Sequence, residues 1–104
     1  MSDFVTVAKT SDVPDPSRVI VEVDETLVVL IHAGGQFYAI DDVCTHDGGP
    51  LGEGELAGYT IACPRHGAKF DVRDGRALTM PATRPTRVHE VRVTGDNVQV
   101  KLID

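Results

Sequence analysis

Two short knots carry most of the chain's capacity for metal chemistry. Cys44-Thr45-His46 and Cys63-Pro64-Arg65-His66-Gly67 contain both cysteines and two of the four histidines in 104 residues. Each knot pairs one soft thiolate with one imidazole, with one intervening residue in the first and two in the second. Either spacing lets both side chains turn toward one point from a tight loop. The chain between the knots must therefore loop out and return. Gly48, Gly49, Gly52, Gly54 and Gly58 permit the backbone angles of such a loop, and Pro50 and Pro64 stiffen its corners.

Two metal groups accept two thiolates and two imidazoles. Tetrahedral zinc does, although zinc fingers usually space Cys from Cys and His from His, and here each knot is mixed. A 2Fe-2S cluster in which two His replace two Cys on one iron asks each loop for a thiolate to one iron and an imidazole to the other. Mixed knots meet that demand directly.

At these residues the chain resembles the small soluble Rieske-type ferredoxins. The family pattern is Cys-x-His, a loop of this size, then Cys-x-x-His followed by Gly, and Cys44, His46, Cys63, His66 and Gly67 match it. Phe37-Tyr38-Ala39-Ile40 and Phe70-Asp71 look like the strands that carry the two loops, and Met80-Pro81-Ala82 resembles the proline-containing loop that covers the cluster on a third side. The resemblance implies one 2Fe-2S cluster per chain, with Cys44 and Cys63 on the buried iron and His46 and His66 on the outer one. It also implies shielding of the cluster by Pro81 and electron exit through the edges of His46 or His66.

Respiratory and photosynthetic Rieske proteins carry an additional, disulfide-bonded Cys in each knot, where this chain has Gly49 and Arg65. That places the chain with the disulfide-free branch. High-potential members also have a serine and a tyrosine whose hydroxyls donate to the cluster sulfurs, and the matching positions look like Ala68 and Phe70. With two ferric ions, two sulfides and two thiolates, the oxidised centre is formally neutral, so it accepts an electron more readily than an all-Cys centre. Rieske potentials span roughly -150 to +300 mV. The missing donors and disulfide place this one in the low part of the range. Imidazoles on the outer iron further imply that reduction couples to protonation at high pH.

The rest of the composition bounds the function. The length suits one domain, spanning 1-104 with the cluster-binding subdomain at about 42-71, and a chain of this size buries roughly 60–70% of its unfolded surface. Net charge of -6 argues against nucleic acid, and no apolar run approaches the ~20 residues needed to cross a bilayer. Met1-Ser2-Asp3-Phe4 lacks a basic region followed by an apolar core, so a cytoplasmic monomer away from the membrane is expected. Arg65, Lys69, Arg73 and Arg76, interleaved with Asp71 and Asp74, read as a solvated surface.

The elements that must position the knots are strands. Alternation and β-branched residues predict strands at Phe4 to Ala8, Arg18 to Val23, Leu27 to His32 and Gln36 to Asp41, with turns at Asp24-Glu25 and Gly34-Gly35. Pro14 and Pro16 exclude a regular ladder between the first two. Tyr59 to Ala62 leads into the second knot and Ala68 to Val72 leads away. Arg73 to Arg76 turns, and Ala77 to Met80 run on to Pro81. Arg87 to Val93 and Val98 to Leu102 close the sheet around Gly95-Asp96-Asn97. The expected fold class is all-β, a Rieske-like antiparallel β-sandwich with a two-loop cluster-binding subdomain and no helix of useful length.

His32 and His89, in predicted strands without Cys neighbours, are expected to be structural or surface residues. Asp47 either hydrogen-bonds a ligand ring or its loop, or faces solvent. The expected function is one-electron transport between a reductase and a terminal acceptor such as a ring-hydroxylating oxygenase. Only His32 and His89 remain for a mononuclear iron site, so the chain itself is not expected to be an enzyme. The alternatives are a ferredoxin of iron-sulfur assembly or of a nitrite-reductase-type complex, and a zinc-stabilised interaction module without redox function.

Overall fold

The computed structural model describes residues 3–43, 50–64, 67–80 and 84–103. Over that range the chain forms strands β1 (Val5–Lys9), β2 (Ser17–Val23), β3 (Thr26–Ala33), β4 (Gln36–Asp41), β5 (Leu56–Ala57), β6 (Thr60–Ala62), β7 (Lys69–Asp71), β8 (Val88–Thr94) and β9 (Asn97–Lys101). The larger sheet has the antiparallel order β1-β9-β8-β4-β3-β2, and the smaller is β5-β6-β7. β8 joins the two halves of the larger sheet. Its Val88 and His89 pair with Ile40 and Ala39 of β4, and Glu90 onward pairs with β9. The edge strands β1 and β2 approach one another, so the sheet curls toward a barrel.

Alternation along β3 explains how the two sheets share one molecule. Successive side chains leave opposite faces of a strand, and both faces of β3 are covered. Val28 and Leu30 pack with Val13, Val23, Ala39, Val98 and Val100 inside the curled sheet. Val29, Ile31 and Ala33 face the other way, joining Ile40, Leu51, Ile61, Ala68, Phe70 and Val72. The second cluster docks the small sheet onto the large one and contains Cys63.

Strand boundaries lie within a residue or so of expectation, and the expected antiparallel all-β class is observed. Two features differ. β5 was not expected, because a two-residue strand is too short for alternation to reveal. Ala77 to Thr79, expected only as a lead to Pro81, adds to the edge of β7: Phe70 bridges Ala77, and Leu78 N–H donates to the Lys69 carbonyl at 2.7 Å.

Candidate metal centre

The second knot is closed by its own backbone. Cys63 N–H donates to the Ala68 carbonyl at 2.7 Å, and Gly67 N–H donates back to the Cys63 carbonyl at 2.9 Å. Gly67 has φ +74°, a left-handed conformation that a side chain disfavours, which accounts for Gly after the knot. Cys63 is 2% exposed and is a free thiol on the same apolar cluster as Ala68 and Phe70, each fully buried. A buried sulfur at the mouth of a strand pair, with apolar neighbours and a backbone turned around it, fits a thiolate ligand of a metal centre. Ala68 and Phe70 offer that sulfur no side-chain donor.

Cys44, His46, Asp47, Gly48, Gly49, Arg65, His66, Pro81 and Ala82 lie outside the described residues, so of the four assigned ligands the structure places Cys63. Among the described residues no three His, Cys, Asp or Glu side chains converge on one point. The approach to the first knot is well defined. Asp41 N–H donates to the Arg87 carbonyl at 3.0 Å and Asp42 N–H to the Leu27 carbonyl at 3.1 Å. The Thr86 hydroxyl donates to the Val43 carbonyl at 3.4 Å.

The returning loop is held at three points that sequence reasoning missed. Gly52 N–H donates to Oδ1 of buried Asp42 at 2.6 Å, and Arg18 Nε donates to the Gly54 carbonyl at 3.1 Å. Leu51 is fully buried in the cluster that contains Cys63. The period of β4 held the signal for Asp42, since Tyr38 and Ile40 face the small sheet and Asp42 continues their alternation. The expected role of the loop glycines needs correction. Gly58 has φ +60° as expected, but Gly52 and Gly54 are needed for space. A Cβ at Gly54 would stand 1.7 Å from the Ala62 carbonyl oxygen, and one at Gly52 would stand 2.3 Å from Ile20.

Beside the second knot, Asp71 is 5% exposed and bound by Arg73 through Nε–Oδ1 at 3.1 Å and Nη2–Oδ2 at 2.8 Å. Those bonds from the Arg73 guanidinium hold the Asp71 carboxyl below the usual carboxylate range. The guanidinium also lies 4.4 Å from the centre of the Tyr59 ring, whose edge meets Tyr38. Arg73 therefore ties Asp71 of β7 to the Tyr59 ring within the small sheet, and Tyr59 in turn meets Tyr38 of the large one, a fixed role that the expected solvated surface did not include.

The two remaining histidines are structural. His89 is enclosed, its Nδ1 accepting from Ile103 N–H at 3.0 Å and its Nε2–H donating to Asp41 Oδ1 at 2.7 Å, which fixes the tautomer. His32 stacks on Phe37 at 4.0 Å and donates from Nδ1 to the Val13 carbonyl at 2.7 Å.

The model of the Rieske [2Fe-2S] domain matches residues 3–100. The chain belongs to the Rieske [2Fe-2S] family. This Rieske chain is 32% identical over 100 residues to the ferredoxin component of naphthalene 1,2-dioxygenase/salicylate 5-hydroxylase systems from Ralstonia sp, with 96% of each chain covered. It superposes on the ferredoxin of carbazole 1,9a-dioxygenase from Nocardioides aromaticivorans IC177 with a TM-score of 0.90 at 30% identity, covering 93% of this chain and 95% of that one. Another match, with TM-score 0.88 and 37% identity, comes from a complex of reduced oxygenase and oxidised ferredoxin in carbazole 1,9a-dioxygenase and covers 93% of this chain and 91% of that one. The chain is thus a Rieske-type ferredoxin, an electron carrier whose cofactor is a 2Fe-2S cluster. The reading as a zinc-stabilised module is set aside by that membership.

Proposed function

We propose that the protein is a single Rieske domain spanning 1-104 that carries one electron at a time from a reductase to the terminal oxygenase of a ring-hydroxylating system. The partners follow from its relatives, since one is a ferredoxin component of dioxygenase systems and another is paired with an oxygenase. The structural observation that supports this reading is the buried Cys63 in its backbone-closed turn, at the small sheet's connection between β6 and β7. In this proposal Cys44 and Cys63 hold the inner iron and His46 and His66 the outer one. The bound cluster supplies one-electron redox chemistry.

The chain's own residues do the rest. β6 and β7 present Cys63, Ala68 and Phe70 as a dry wall, so a charge change at the metal is felt in a medium of low polarity. The backbone turn and the Asp71–Arg73 pair within the small sheet help to keep that wall fixed during electron exchange, which favours rapid transfer because little has to rearrange. Catalysis belongs to the partners, so the chain is not itself an enzyme. A monomer in the cytoplasm is part of the same proposal. Among the described residues no helix is long and apolar enough to cross a membrane.

The test is reconstitution. Purified chain is mixed with candidate reductases and aromatic-ring oxygenases, and reduced chain is followed by its visible spectrum while product forms. Reduction by a reductase and reoxidation by an oxygenase with substrate support the proposal. A chain that is reduced normally but transfers to no oxygenase, and instead serves another acceptor, refutes the assigned partner.

A further inference from the structure

Asp42 is a buried carboxylate that a mere electron carrier has no evident need for. It sits 6% exposed where β4 ends, and Gly52 N–H donates to it from the returning loop at 2.6 Å. Two residues farther along that loop, the Gly54 carbonyl accepts from Arg18 Nε on β2. Gly54 N–H closes a turn onto the Leu51 carbonyl at 2.9 Å, and Gly54 lies so close to the Ala62 carbonyl that only glycine fits. The large sheet thus grips both sides of one turn, with β4 holding its N–H and β2 its carbonyl. Leu51, at the start of that turn, is driven to zero exposure in the apolar cluster that contains Cys63, Ala68 and Phe70.

We propose that Asp42 and Arg18 are positioning residues for the cluster: together they press the Leu51–Gly54 turn onto the Cys63 side of the centre and seal that side from water. This rests on the assignment of Cys63 as a ligand. The physical argument is that a four-residue turn rich in glycine has little intrinsic preference for one position. Its position must come from what holds it. A carboxylate oxygen accepting a buried N–H is a strong anchor because the unpaired N–H has no water to turn to. Without the anchor the turn opens more often, and each opening exposes the thiolate side of the centre.

The test compares the cluster-loaded parent with Asp42→Ala, Asp42→Asn, Arg18→Ala and Leu51→Ala. Bleaching of the visible spectrum by an iron chelator gives the rate of cluster loss. Amide hydrogen exchange at Gly52, in loaded and cluster-free protein, gives the opening of the turn. Asp42→Ala is expected to lose its cluster about tenfold faster and to exchange at Gly52 faster to a similar degree. Asp42→Asn retains an Oδ1 acceptor and should return both rates to within about twofold of the parent. Arg18→Ala should bleach faster with near-parental melting; Leu51→Ala, which empties a buried site and so melts lower, should bleach faster too, and Arg18→Ala keeps the proposal testable if Asp42→Ala does not fold. Parental rates in Asp42→Ala or in both other variants would overturn it, as would failure of Asn to rescue. A parent that never binds iron and sulfide would instead refute the ligand assignment.

Discussion

Arg73 folds back onto Asp71, two residues earlier, and grips both carboxylate oxygens from the side chain while its own N–H donates to Oδ1 at 2.9 Å. The carboxylate is buried and the guanidinium half exposed, so the pair is held at one end by packing and at the other by water. The folded Asp71 carboxyl lies below its ordinary value of 3.8, which means that the folded state binds the proton less tightly than the unfolded state. The stabilisation is therefore complete above that ordinary value and fades as pH falls through the lower folded one. Melting temperature followed from about pH 6 to about pH 2 should show an acid limb that Asp71→Asn flattens. Arg73→Ala should lower the melting temperature at neutral pH and weaken the acid limb, because the buried carboxylate loses its charged donor.

The β2–β3 hairpin turns through Asp24 at φ +48° and Glu25 at φ +67°, both left-handed and neither glycine. Glutamate gains nothing from that conformation. Relief of about 1–2 kcal/mol of left-handed strain exceeds the roughly 0.4–1 kcal/mol of added unfolded-chain entropy, so Glu25→Gly should raise the melting temperature by a few degrees. Glu25→Val should lower it.

Ala68 and Phe70 carry no side-chain donor in the buried cluster that contains Cys63, and the expected potential lies in the low part of the Rieske range. Ala68→Ser introduces a hydroxyl at a fully buried position beside the Cys63 turn. A donor that favours the reduced state by about 1.4 kcal/mol raises a one-electron potential by about 60 mV. A redox titration measures this, and a parent near the top of the range would contradict the low assignment.

Met80 is 75% exposed just beyond the strip that zips onto β7, where Leu78 is also exposed. Large apolar side chains in such a place suit a partner's surface. Met80→Glu should raise the ferredoxin concentration needed for half-maximal oxygenase turnover about tenfold, equivalent to about 1.4 kcal/mol. The visible spectrum and the potential should stay close to the parent's. Steady-state turnover with varied ferredoxin is the measurement.

Most of the larger sheet was legible because β2 and β3 are short runs rich in Val, Ile and Leu, because Arg87 to Val93 alternates, and because Gly34-Gly35 and Gly95 mark turns. The family was legible because Cys-x-His paired with Cys-x-x-His is a rare combination. What stayed hidden depends on contacts distant in sequence. Arg18 reaches a carbonyl 36 residues away, and nothing local to it announces this. Gly52 and Gly54 resembled flexible loop residues until the approach of Ile20 and of the Ala62 carbonyl gave them a spatial reason. Arg73 read as a solvated charge because its two partners, Asp71 and Tyr59, meet it only once the small sheet is folded.

The assignment of Cys44, Cys63, His46 and His66 to one asymmetric centre is tested most directly by pulsed electron paramagnetic resonance of the reduced protein with 15N-labelled histidine. Two strongly coupled imidazole nitrogens are expected, falling to one in His46→Cys or His66→Cys. A reduced centre with no histidine nitrogen coupled to it would contradict the assignment.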